Sequence, residues 1–146
     1  MKIDIFRFLF TIGFMLAVAG CGQREIRPVE IFPEDNCSNC RMALSDKSFA
    51  SEIITAKDEV TKFDDLSCLE SYRKKNASVQ IKAIFVMDYD SKSWLPFEKS
   101  VIVKTGLDTP MGSGKIAVKD SARAATLVKE HPPTRDVSSI DCCSTD

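Results

Sequence analysis

The chain has 146 residues and carries 20 Lys+Arg against 21 Asp+Glu, a formal net charge of −1. Near-balanced charge, with no basic stripe and no basic–aromatic interleaving, argues against nucleic acid as a partner. The length fits one domain, or two very small ones sharing a core.

Residues 1–20 read as a targeting segment rather than as fold. Lys2 and Arg7 precede an apolar run from Phe8 to Ala19 that is too short to span a bilayer and the right length for a signal-peptide core. The run ends Val18-Ala19-Gly20-Cys21, which resembles the bacterial lipobox. That resemblance implies a lipoprotein signal peptide over 1–20 and a mature N-terminus at lipidated Cys21. The chain would then be held on the periplasmic side of the cell envelope. With each buried CH2 contributing ~0.8 kcal/mol, several acyl chains make a stable membrane anchor. Gly22 stands where an Asp would mark inner-membrane retention in Gram-negative bacteria, which leans towards the outer membrane. Residues 21–34, with Pro28 and Pro33, read as a linker from that anchor.

A sulfur-rich stretch follows, Asp35-Asn36-Cys37-Ser38-Asn39-Cys40-Arg41-Met42. A strand is expected over Ser48 to Ala56, a turn at Lys57-Asp58-Glu59, and a second strand over Val60 to Phe63. Asp64-Asp65 offers N-cap side chains for a helix, and Ser67 with Glu70 has capping-box spacing. Leu66, Leu69 and Tyr72 would form the buried stripe of that helix, and Asn76 ends it. The pattern then recurs. An apolar strand is expected from Val79 to Tyr89, strands at Val101 to Lys104 and Lys115 to Val118, and a helix from Ser121 to Glu130 capped by Asp120. The predicted fold is therefore α+β, with two related ββα units packed on each other over 35–77 and 78–131. Residues 132–146 read as a flexible tail.

Six cysteines occur, at positions 21, 37, 40, 68, 142 and 143. With Cys21 set aside, the remaining number is odd, so they cannot all pair within the chain. The envelope is oxidising, so free thiols there must be kept reduced or be held by metal. Cys37 and Cys40 have Cys-x-x-Cys spacing, which fits a redox pair, half of a zinc site, or a Cu(I) site. A thioredoxin-like pair would open a helix within a βαβ unit, whereas a loop and hairpin are expected here. Zinc would need two further ligands. There is no second Cys-x-x-Cys, and His131 is the single histidine. Met42 adds a thioether beside the thiols, and Met111 lies in the turn-rich run Thr109-Pro110-Met111-Gly112-Ser113-Gly114, away from any apolar face. Cys40, Met42 and Met111 together form a soft, low-coordinate set suited to Cu(I). Cys37 would assist or guard it. Met87, Trp94 and Cys68 read as core residues, and Asp64 and Asp65 as caps more than as tuning groups.

Glu34-Asp35-x-Cys37-x-x-Cys40-x-Met42-Ala43, Phe63-Asp64-Asp65, Trp94 and the Met111 loop resemble the NosL family, copper-binding lipoproteins that accompany nitrous-oxide reductase. The resemblance implies monovalent copper bound by the second cysteine and nearby methionines. It also implies delivery to the nitrous-oxide reductase apoprotein with help from a membrane transporter complex, and no enzymatic activity. Arg41 stands where many members have glycine, and Cys142-Cys143 is not part of the family pattern. The alternative reading is a thiol–disulfide exchange protein using Cys37 and Cys40. A third is a lipoprotein in which a Cys37–Cys40 bridge staples a loop.

Overall fold

The computed structural model describes residues 25–133. Residues 1–20, read above as a signal peptide, Cys21 and the Cys142-Cys143 pair lie outside the described residues. The architecture is α+β, with six strands in two antiparallel sheets and two α-helices among the described residues. The first run is β1 (Ser51–Thr55), β2 (Val60–Phe63) and α1 (Leu66–Lys75). β3 (Ile81–Met87) and β4 (Trp94–Pro96) follow, and then β5 (Val101–Lys104), β6 (Lys115–Val118) and α2 (Ser121–Glu130).

Two ββα runs are thus present, but the strands between them are shared unequally. β3, expected to open the second unit, pairs antiparallel with β1, placing Ile53 opposite Ile84, and β4 extends the same sheet. The sheet order is β2-β1-β3-β4, while β5 and β6 form a separate two-stranded ribbon. The physical reason is burial. All five β1 residues are buried, so the strand needs a hydrogen-bonded neighbour on each side, and the apolar β3 supplies the second. The sheets are joined where β3 ends: Tyr89 N donates to Ala117 O at 2.9 Å, and the Asp88 carboxylate accepts from Lys119 N.

The expected strand from Ser48 starts three residues late. Asp46 caps a 3-10 turn over Lys47–Phe49, and its side chain accepts from Ser48 N. That turn directs Phe49 into the second core with Ile116, Val118 and Leu127. The larger core lies under the four-stranded sheet and includes Ile31, Ile53, Phe63, Leu69 and Val86. At ~1.5–3 kcal/mol for each fully buried large apolar side chain, these clusters supply most of the drive to fold.

α1 begins as expected at Asp65, whose side chain accepts from Ser67 N, and Leu66 and Leu69 are buried beneath it. The capping-box partner is different. Glu70 pairs with Lys115 Nζ at 2.6 Å, tying α1 to β6. Asp120 caps α2 by accepting from Arg123 N.

Candidate metal centre

The sulfur-rich loop is a tight excursion closed by its own backbone. Asn36 bridges Ala43, Cys37 N donates to Met42 O at 2.8 Å, and Arg41 N donates to Cys37 O at 3.0 Å. Closing so short a loop puts Arg41 at φ 69°, a left-handed conformation that few residues with a Cβ adopt. Ser38 N donates to Lys62 O at 2.9 Å, which docks the loop on β2. Lys62 Nζ in turn donates to Asp35 Oδ2 at 2.5 Å and to Glu30 O at 2.6 Å, fixing the chain that enters the loop.

β2 ends beside this loop in Asp64-Asp65, and α1 brings Cys68 round in its first turn. As a result Cys37, Cys40 and Cys68 each offer a sulfur, and Asp64 a carboxylate oxygen, with all four atoms within 4.8 Å of one another. Cys37 is 0% exposed, Cys68 1% and Asp64 1%, while Cys40 is partly open. All three cysteines are free thiols. The Cys40 thiol donates to Asp64 Oδ2 at 3.3 Å, and Asn39 Nδ2 donates to Cys68 Sγ at 3.5 Å. Burial pushes the Cys40 thiol pKa up. The Met42 N–H opposes this, and the neighbouring Cys37 and Asp64 add to the rise. Burial also pushes Cys68 up strongly, against the Asn39 hydrogen bond. Without a cation, Cys40 and Cys68 are therefore neutral at pH 7, and a metal must displace their protons.

Asp65 connects this corner to the second methionine. Its Oδ2 accepts from Thr109 Oγ1 at 2.7 Å and from Met111 N at 3.1 Å, and its Oδ1 accepts from Ser113 Oγ at 2.8 Å. Burial pushes the Asp65 pKa up, but the hydrogen bonds from Thr109, Ser67 and Ser113 outweigh it and hold the carboxyl below its usual value. The loop is closed at its base by Thr105 N donating to Gly114 O at 2.7 Å. Gly114 has φ 65°, and a Cβ there would meet Thr105 O at 2.2 Å, so only glycine fits.

Of the residues singled out in the sequence, Cys37 and Cys40 fall in one cluster. Met42 and Met111 carry exposed side chains, 50% and 45% respectively, on the two loops that flank Asp64-Asp65. Asp65 acts as a cap, as read, and also as the anchor of the Met111 loop. Trp94 packs half-buried against the larger core. His131 is exposed at the end of α2 and outside the cluster. Cys68, read as a packing residue, is packed but also turns its sulfur towards Cys37 and Cys40. The available signals were the odd thiol count and its place one turn after the Asp64-Asp65 pair.

An α+β fold in which three thiols and a carboxylate converge, with exposed methionines on the two neighbouring loops, defines a candidate metal-binding protein. The NosL family model matches residues 28–133, and the chain belongs to the NosL family. A solved structure similar to this one is described as the crystal structure of the copper chaperone NosL from Shewanella denitrificans. The TM-score is 0.64 at 15% identity, covering 72% of this chain and 87% of that one. None of the curated proteins matches the chain.

Proposed function

We propose that this protein is a membrane-anchored periplasmic carrier of Cu(I), not an enzyme, that delivers copper for nitrous-oxide reductase maturation. The observation that carries the reading is the Asp64-Asp65 junction. Through Asp64 it touches Cys40, and through Asp65 it holds the backbone of Met111. In this reading the partly open Cys40 thiol and the exposed thioethers of Met42 and Met111 come together at this junction. Thiolate and thioether are soft donors that suit monovalent copper, and a histidine-free set suits storage and delivery over oxygen chemistry.

In this reading Cys40, Met42 and Met111 hold the ion as cargo. Cys37, buried behind Cys40, guards the thiol without meeting the partner. Because Met42 and Met111 are exposed, an incoming sulfur or nitrogen of the client reaches the ion and takes it by stepwise exchange. Lipidated Cys21 keeps the carrier at the membrane beside the transporter complex of the reductase.

Titration of the reduced full chain with Cu(I) against a chromophoric chelator tests the site. One ion per chain is expected, and Met42→Ala or Met111→Ala should remove most of the affinity. Retained affinity in both variants, together with disulfide-reductase activity abolished by Cys37→Ser, would establish the thiol–disulfide reading instead. Fractionation tests the anchor, since Cys21→Ser should move the chain from the membrane to the soluble fraction. In cells lacking the gene, the reductase should accumulate copper-poor.

A further inference from the structure

We propose that residues 25–32, together with the Val60 end of β2, form a seat on which the body of the protein lies directly against a lipid bilayer, at the boundary between headgroups and acyl chains. The inference rests on the lipidation of Cys21 and goes beyond it. An acyl anchor alone leaves the body free to swing, whereas a seat fixes which face meets the membrane.

Three observations carry it. First, the segment after the anchor runs along the body. The buried Glu52 carboxylate accepts from Val29 N at 2.9 Å, Lys62 Nζ donates to Glu30 O at 2.6 Å, and Lys47 Nζ donates to Ile31 O at 2.8 Å. The Ile31 side chain lies in the larger core. Only Gly22, Gln23 and Arg24 separate Cys21 from this strap. At no more than about 3.6 Å per residue, Glu25 lies within about 14 Å of the acylated residue.

Second, exposed apolar side chains gather on the strap. Among the described residues seven large apolar side chains are exposed, and two of them are Met42 and Met111. Of the other five, four are Ile26, Val29, Phe32 and Val60. Ile26, Val29 and Val60 line one hollow with Ile54. Lys62, beside Val29 and Val60, joins Phe32 to them, with its Nζ 5.5 Å from the ring centroid. Contiguous exposed apolar surface of this kind marks a contact face. Third, the cations at its rim are already paired, Arg27 with Glu25 at 3.1 Å and Lys82 with Asp58 at 2.6 Å. The face is therefore apolar with a neutralised rim. A second copy could cover such a face, but the short tether puts the bilayer against it.

The seat also sets the height of the sulfur-rich loop. The strap continues into that loop, and five residues from Phe32 to Cys37 span at most about 18 Å. Lys62 grips Glu30 and Asp35 on the strap side, and its own carbonyl accepts from Ser38 N. A seated strap therefore holds the loop close to the membrane surface, where a membrane-embedded partner can reach it.

The lipidated full chain, in vesicles of phosphatidylethanolamine and phosphatidylglycerol with brominated acyl chains, tests the seat. Trp94 is the only tryptophan, and it lies on β4, at the opposite edge of the sheet from β2. Emission of the parent chain should be indifferent to the bromines. Phe32→Trp should add blue-shifted emission that the brominated lipid quenches, and high salt should not relieve the quenching. Adding Val60→Glu to Phe32→Trp should remove most of the quenching, while flotation with the vesicles, circular dichroism and Cu(I) affinity stay at the parent's level. Emission from Phe32→Trp that is not quenched in a chain that floats would overturn the seat and leave the anchor standing. A blue shift without quenching would assign the face to a second copy, and equal quenching of Trp94 in the parent would assign the contact to another face; both overturn the seat. A chain that does not float overturns anchor and seat together. The Cu(I) reading depends on the methionine variants and is decided separately.

Discussion

Asp65 at the start of α1 accepts a hydrogen bond from the backbone N–H of Met111, forty-six positions away in sequence, at 3.1 Å. The same carboxylate caps α1 through Ser67 N at 2.7 Å and holds Thr109 and Ser113. One side chain therefore performs two tasks that the sequence presents as separate, starting a helix and placing a methionine loop.

Replacing this carboxylate should uncouple the two loops. Asp65→Ala loses an N-cap worth about 1 kcal/mol and hydrogen bonds to a charged group worth about 1.5–3 kcal/mol each. A fall in stability of at least about 2 kcal/mol is expected in denaturant unfolding. If Met111 is a copper ligand, as proposed, Cu(I) affinity should fall towards that of Met111→Ala, because the Met111 loop loses its anchor on α1. Asp65→Ala with unchanged copper affinity would show that the loop is placed by other contacts.

The pH dependence of stability follows from the same group. The folded-state pKa of Asp65 is lowered, so its contribution is present above the ordinary carboxylate value near 3.8 and is lost as pH falls through the folded value. Asp35 is lowered as well, first by its hydrogen bond from Lys62. Unfolding free energy should therefore fall as the pH drops below about 4. The slope should be shallower in Asp65→Asn, and urea melts between pH 2.5 and 6 read both.

Glu52 should behave in the opposite sense. It is fully buried in β1, its Oε1 accepts from Val29 N at 2.9 Å, and its Oε2 has no partner. Burial raises its pKa against the Val29 hydrogen bond. A raised value favours the folded state below the unfolded pKa, near 4.5, and that advantage is lost as the pH rises. Glu52→Gln keeps the acceptor for Val29 and removes the buried charge. It should raise stability at pH 7 by on the order of 1 kcal/mol, with no gain at pH 4. A Glu52→Gln chain less stable than the parent at pH 7 would mean that Lys62 compensates the charge fully.

The α+β class, both helices and their caps were legible because Asp65 and Asp120 precede apolar residues at helical spacing. The partner of β3 was not. An apolar strand looks the same whether it opens a second unit or completes the first, and only the burial of both faces of β1 decides. Cys37, Cys40, Met42 and Met111 stood out by residue type and by their loop setting. The sulfur of Cys68 did not, since Leu66-Ser67-Cys68-Leu69 reads equally well as an apolar helical face. Its neighbours are set by a long-range contact between the 37–42 loop and α1 that no local pattern encodes. Asp64 and Asp65 were read as a pair, whereas the fold gives one to the thiols and the other to the Met111 loop.

Arg41 offers the sharpest test of the loop itself. It closes the sulfur-rich loop at φ 69°. A left-handed conformation costs a residue with a Cβ about 1–2 kcal/mol. Glycine relieves that strain but loses about 0.5–1 kcal/mol more chain entropy on folding. Arg41→Gly should therefore be neutral to stabilising by about 1 kcal/mol. Arg41→Val, β-branched and poorly suited to positive φ, should destabilise the loop and loosen Cys40 relative to Asp64. Thermal melts rank the three chains, and the order expected is Gly at or above Arg, with Val lowest. If Val matches Arg in both melting temperature and Cu(I) affinity, the loop tolerates another backbone path, and its closure through Cys37 and Met42 is not what positions the thiol.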